Sequence, residues 1–109
     1  MSNMTLEGRV ALVTGASQGG TGTAIALRFA AEGAKVAITA RSVDGLEQTR
    51  ARIEAIGGEC LVLPADLSRP DGGRSELVPR TEETLGPIDI LVNNAAFGGY
   101  KPVSYTHLR

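Results

Sequence analysis

The chain has little of what several protein classes require. It carries one cysteine, Cys60, so no internal disulfide framework can form and a reducing compartment suits it. No apolar stretch approaches the roughly 20 residues needed to span a bilayer, and no apolar run behind a basic start marks a secretory leader. The expected location is therefore cytoplasmic. Eleven Lys and Arg against twelve Asp and Glu leave a formal net charge of -1, which gives neither nucleic acid nor an anionic membrane an electrostatic reason to bind. There is no internal repeat and no linker. The remainder is ordinary: 109 residues, 42% hydrophobic and 21% charged, describe one small globular domain or a piece of a larger one.

What is present is an alternation of two kinds of segment. Residues 9–13, Arg-Val-Ala-Leu-Val, form a short β-branched run that ends at Thr14-Gly15. After a Gly-rich loop, the spacing of Ile25, Phe29 and Ala30 predicts a helix over residues 23–32, stopped by Gly33. Residues 35–39 predict a second strand. Ser42 is then the N-cap candidate of a helix that places Leu46, Ile53 and Ile56 on one face and ends at Gly57-Gly58. A third strand is expected over residues 59–63, closed by Pro64, and a polar turn over residues 66–73. A third helix over residues 74–85 would turn Leu77, Val78, Thr81 and Leu85 inward, with Pro79 predicting a kink or a late start. Residues 88–92 complete a fourth strand. Strands that are almost wholly apolar, separated by helices, imply an α/β fold with a parallel sheet covered on both faces. Right-handed crossovers place the strands in the order 3-2-1-4, the first half of a doubly wound, Rossmann-type sheet. Such a half is incomplete, and its fourth strand is expected to stand as an open edge.

Glycines 15, 19, 20 and 22 lie between the first strand and the first helix. A pyrophosphate there needs backbone N–H groups brought close, which a Cβ would obstruct, and a helix N-terminus adds a favourable dipole. Gly15 and Gly20 also have the spacing of a nucleoside-triphosphate loop, but Thr21-Gly22 follows instead of Lys and a hydroxyl residue, so a kinase or ATPase is excluded. Thr14-Gly15-Ala16-Ser17-Gln18-Gly19, followed by Gly22, resembles the T-G-x-x-x-G-x-G loop of the short-chain dehydrogenases/reductases. The stretch Gly19-Gly20-Thr21-Gly22 is one residue longer than the family's ending, so either Gly19 or Gly20 fills the middle role. The resemblance implies dinucleotide binding by Gly15, Ser17, Gln18, Gly19, Gly20, Thr21 and Gly22.

Two further motifs follow at family spacing. Ala65-Asp66-Leu67-Ser68 resembles the family's D-[VL]-[ST] turn, which implies that Asp66 meets the adenine amino group and that the Leu67 backbone lies along the ring. Asn93-Asn94-Ala95-Ala96 resembles its N-N-A-G motif, with Ala96 in place of glycine. This implies that Asn93 ties neighbouring strands together and that the backbone of Ala95 and Ala96 passes the ribose. The choice of dinucleotide turns on the end of the second strand. A carboxylate roughly 20 positions beyond the loop favours NAD; here Arg41 and Ser42 stand instead, suited to a charge-assisted bond and a hydroxyl donor for a 2′-phosphate. The expected cofactor is NADP, ahead of NAD, with no metal.

No catalytic residue can be carried over. The family's chemistry rests on a serine and a Tyr-x-x-x-Lys pair, in which the lysine lowers the phenol's pKa. Tyr100 has Ser104 at the fourth place, and Tyr105 has Arg109, which lies too early and cannot supply a tunable ammonium. The resemblance therefore implies an oxidoreductase acting on an alcohol/carbonyl pair only for a parent of roughly 250 residues, expected to be a homo-oligomer through later helices. The chain by itself is expected to bind NADP weakly or not at all and to turn nothing over. Residues 1–103 read as the N-terminal half of the domain, and residues 104–109 as a non-native or truncated tail, with His107 incidental. Two readings from other classes stay open beside this one. One is a non-catalytic dinucleotide-binding module; the other, disfavoured by Thr14-Gly15 and the Asn-Asn-Ala-Ala motif, is a Rossmann methyltransferase.

Overall fold

The computed structural model describes residues 6–15, 20–66, 74–93 and 104–107. The elements run β1 (Val10–Thr14), α1 (Thr21–Ala31), β2 (Lys35–Thr39), α2 (Val43–Ala55), β3 (Glu59–Val62), a 3-10 turn (Arg74–Glu76), α3 (Leu77–Leu85), β4 (Ile90–Asn93) and β5 (Ser104–His107). The sheet order is β3-β2-β1-β4-β5. The first four strands are parallel, in the expected 3-2-1-4 order. The fifth is antiparallel to β4, with Val92 opposite Tyr105. The edge expected to be open is therefore paired by the segment expected to be a tail.

Strand residues alternate between two apolar layers. Val13, Val36, Ile38 and Val92 pack with Ala26 and Ala30 of α1 and Leu46 and Ile53 of α2. Val10, Leu12 and Ala37 pack on the other face with Leu63, Ala65 and Ile88 and with Leu77 and Leu85 of α3. Burial on both faces is why these strands are continuously apolar instead of alternating with polar residues.

The helix boundaries follow from local chemistry. α1 starts two residues earlier than the periodicity predicts. Gly20 takes the extended N-cap conformation at φ -105°, so Thr21 and Gly22 belong to the first turn and not to the loop. In α2, Ser42 is the N-cap, and its Oγ accepts the Gly45 N–H at 3.0 Å. Pro79 gives the late start: it is the third residue of α3, where a missing N–H breaks no helical bond. Two residues expected to face inward do not. Val78 is exposed because the buried stripe of α3 runs through Leu77, Thr81 and Leu85. Ile56 is exposed because it is the C-cap, past the last turn that packs on the sheet. Cys60 is half-buried on β3, and burial pushes its thiol up from about 9 to about 12; Arg50 opposes this, and Glu54 and Glu47 add to it.

Candidate functional site

The four parallel strands end level with one another. Thr14 pairs with Thr39, Ile38 with Val62, and Val13 with Val92. Past the ladder, the Leu63 N–H donates to Ile38 O at 2.9 Å and the Ala65 N–H to Ala40 O at 3.0 Å. Gly15, the Ala40–Arg41–Ser42 turn, Asp66 and Asn93 are thereby delivered to one edge of the sheet. After β3 the chain crosses back to place β4 on the other side of β1. That reversal makes the gap between β1 and β4 the topological switch point, outside whose carboxyl ends ligands of open α/β sheets bind.

Two glycines and one helix terminus shape this gap. Gly15 leaves β1 at φ 65°, a left-handed conformation that lets the chain turn away from the strand. Gly20 caps α1 without a side chain, no side-chain cap bond is made, and no acidic residue lies in the first turn. Neither the cap residue nor the first turn of α1 thus brings a carboxylate to the positive end of the helix dipole. The contrast with α2 is direct: that helix has Ser42 as its cap and Asp44 in its first turn. Of the two N-termini at this edge, α1's is the one with neither a side-chain cap bond nor an acidic residue in its first turn.

The first and fourth strands are tied across the gap. The Thr14 hydroxyl lies 3.3 Å from Val92 O and 3.4 Å from Asn93 Oδ1, donating toward both acceptors. Asn93 Oδ1 on β4 thus lies within reach of a hydroxyl on β1. At the end of β2, Arg41 and Ser42 are exposed and no carboxylate stands between Thr39 and Ser42. The Ser42 oxygen is engaged as an acceptor by Gly45 N–H, which leaves its proton to donate. Asp66 is half-buried at the continuation of β3. Six of the residues singled out from the sequence, Ser17, Gln18, Gly19, Leu67, Ala95 and Ala96, lie outside the described residues.

The sequence assigns no bonding role to three threonines, of which Thr14 enters only as the first residue of the loop motif. Thr14 fastens β1 to β4, and Thr23 and Thr49 meet between α1 and α2 with their hydroxyls 3.3 Å apart. A signal existed for Thr49. It lies between Leu46 and Ile53 on the stripe of α2 that faces the core, where a hydroxyl requires a partner.

This arrangement defines a class, the first half of a doubly wound α/β domain. Comparison with known proteins gives the family. The model for "short chain dehydrogenase" matches residues 9–108, and the chain belongs to the short-chain dehydrogenase/reductase family of NAD(P)-binding oxidoreductases. It is 43% identical over 91 residues to the ketoacyl reductase HetN of Nostoc sp. (strain PCC 7120), covering 84% of this chain and 31% of that protein. Among solved structures, it resembles a putative short-chain alcohol dehydrogenase from Sinorhizobium meliloti 1021 with 46% identity and a TM-score of 0.78 over 92% of this chain and 39% of that one. A short chain dehydrogenase from Mycobacterium smegmatis gives 35% identity and a TM-score of 0.79, over 91% and 41% of the two chains. The chain thus spans 31% to 41% of the length of these relatives.

Proposed function

We propose that this chain holds the adenosine and diphosphate half of NADP, as the cofactor-binding part of an oxidoreductase that moves hydride between the nicotinamide and an alcohol/carbonyl pair. The observation that carries the reading is the juxtaposition of an uncapped helix N-terminus at the switch point with an exposed Arg41, and no carboxylate, at the neighbouring strand end. The first-turn N–H groups of α1 suit a diphosphate. The planar guanidinium of Arg41 suits bidentate contact with a 2′-phosphate, and the Ser42 hydroxyl adds a donor. The Asp66 carboxylate, at the end of the line of β3, is an acceptor for the adenine amino group. When bound, the cofactor supplies or takes up a hydride at its nicotinamide ring. These residues bind and orient its other half, so binding by the chain itself is weak.

The test uses probes for that half alone. The chain, labelled with nitrogen-15, is titrated with 2′,5′-ADP and with 5′-AMP, which differ only in the 2′-phosphate, while amide shifts are followed, a method that reads millimolar affinities. One charge-assisted contact predicts a preference of about 10-fold or more for 2′,5′-ADP. Arg41→Ala is expected to remove the preference and leave 5′-AMP binding nearly unchanged. A wild-type ratio near one, or a ratio that Arg41→Ala leaves intact, refutes the NADP reading.

A further inference from the structure

We infer that Thr49 is a positioning residue of the cofactor site: with Thr23, it ties the helix that receives the diphosphate to the turn that receives the 2′-phosphate, so that the two anion subsites act as one. The inference rests on the proposed binding of NADP and adds to it a residue that touches neither phosphate.

The tie can be traced group by group. Ser42 Oγ accepts the N–H of Gly45 at 3.0 Å. The carbonyl of the same Gly45 accepts the Thr49 hydroxyl at 3.2 Å. The Thr49 and Thr23 hydroxyl oxygens lie 3.3 Å apart across the contact of α2 with α1, and either can donate to the other. Thr23 is the third residue of α1, within the turn whose N–H groups face the switch point. Both hydroxyls are buried, Thr23 at 2% and Thr49 at 0% exposure, so water does not compete for them. In such surroundings a hydrogen bond keeps its geometry better than one at the surface. One residue, Gly45, is therefore held at its N–H by Ser42 and at its carbonyl by a hydroxyl that lies against Thr23 in the first turn of α1.

The apolar contacts around the pair do not set this relation. Ala26 and Ala30 pack with Leu46 and Ile53 in one cluster, which holds α1 and α2 together without directionality. Removing the hydroxyls should leave that packing in place and loosen the angle between the two N-termini. A ligand that bridges both subsites then loses affinity, while a ligand that uses only one does not.

Thr49→Val removes the hydroxyl at nearly constant volume, and Thr49→Ser keeps it. In the titrations with 2′,5′-ADP and 5′-AMP, Thr49→Val is expected to lower the preference for 2′,5′-ADP by about 3- to 10-fold, the worth of one buried hydrogen bond. Binding of 5′-AMP should stay nearly unchanged, and Thr49→Ser should keep the wild-type preference. Thr23→Val, which removes the other hydroxyl, should match Thr49→Val, and it carries the test alone if that variant does not fold. Equal weakening of both probes, or a valine variant that keeps the wild-type ratio, overturns the inference. If Arg41→Ala removes the preference while the valine variants keep it, this inference alone has failed. A wild-type ratio near one removes the NADP reading and this inference with it.

Discussion

Two glycines at equivalent places in this fold should respond differently to the same substitution. α1 and α2 both end in the same hydrogen-bonded cap. Gly33 N–H donates to Ala30 O at 3.0 Å and Ala34 N–H to Phe29 O at 3.1 Å; Gly57 N–H donates to Glu54 O at 3.0 Å and Gly58 N–H to Ile53 O at 2.9 Å. Both glycines at the turn have positive φ, 96° at Gly33 and 84° at Gly57. Alanine in the left-handed region costs about 1–2 kcal/mol at either position. What surrounds them differs. A Cβ at Gly57 meets nothing within 4 Å, whereas at Gly33 it would lie 2.9 Å from Glu7 Cα and 3.1 Å from Glu7 N. Those are backbone atoms, and the preceding Leu6 N–H is bonded to Glu32 O at 2.9 Å, so the segment cannot swing away freely. Overpacking against fixed atoms adds about 1–3 kcal/mol, for a total of about 2–5 kcal/mol at Gly33. Equilibrium unfolding in urea of Gly33→Ala and Gly57→Ala measures the difference. With a slope near 1–1.5 kcal/mol per molar for a chain of this size, the Gly33→Ala midpoint should fall about 1–2 M below that of Gly57→Ala. Coincident midpoints, or the greater loss at Gly57, would refute the steric argument.

Thr39 is fully buried, and among the described residues its Oγ1 has no hydrogen-bond partner. Thr39→Val removes an unsatisfied hydroxyl from the α3 face of the sheet at constant shape and is expected to stabilise by about 1 kcal/mol, or to raise Tm by about 4–8 °C; a lower Tm would show that the hydroxyl is used. Cys60 gives a pH signature. Its folded pKa, about 12, lies above its ordinary value near 9, so its contribution to stability is complete below the unfolded pKa and is lost as pH rises toward the folded one. Cys60→Ala should therefore flatten the fall in urea midpoint above pH 9, by at most about 1.4 kcal/mol per pH unit; identical slopes for the two proteins would contradict the burial of this thiol.

The parts of this fold legible in the sequence are those decided by neighbours along the chain. Ser42 as a cap, Gly33 and Gly57 as stops and the parallel order of four apolar strands all follow from local chemistry and crossover handedness. Apolar periodicity misjudged Val78 and Ile56 because it credits every apolar residue near a stripe, whatever the helix turn faces. The pairing of Ser104–His107 with β4 was not legible at all. A strand edge presents N–H and C=O groups, and those bind backbone with little regard to side chain. The candidate site divides in the same way. Its glycines and Arg41 stand out as a pattern in the sequence. The Thr23–Thr49 bond joins residues 26 apart and depends on how two helices lie against each other, which neither helix specifies alone.

Among the described residues, every buried polar side chain is a threonine: Thr14, Thr23, Thr39, Thr49 and Thr81. The choice has a physical consequence at the ligand edge. Threonine has the β-branched shape of valine, so it packs in strands and helix interfaces as a hydrophobic residue would, and its hydroxyl can reach the carbonyl four residues back. Thr49 and Thr81 do so, toward Gly45 and Leu77. Cross-links made this way carry no net charge. A buried carboxylate tying α1 to α2 in place of Thr23 and Thr49 would be a stronger acceptor, but it would sit beside the α1 N-terminus and oppose the diphosphate proposed to bind there. A buried lysine or arginine would need a partner carboxylate, with the same result. A hydroxyl pair joins the two helices without placing a charge beside either proposed anion subsite.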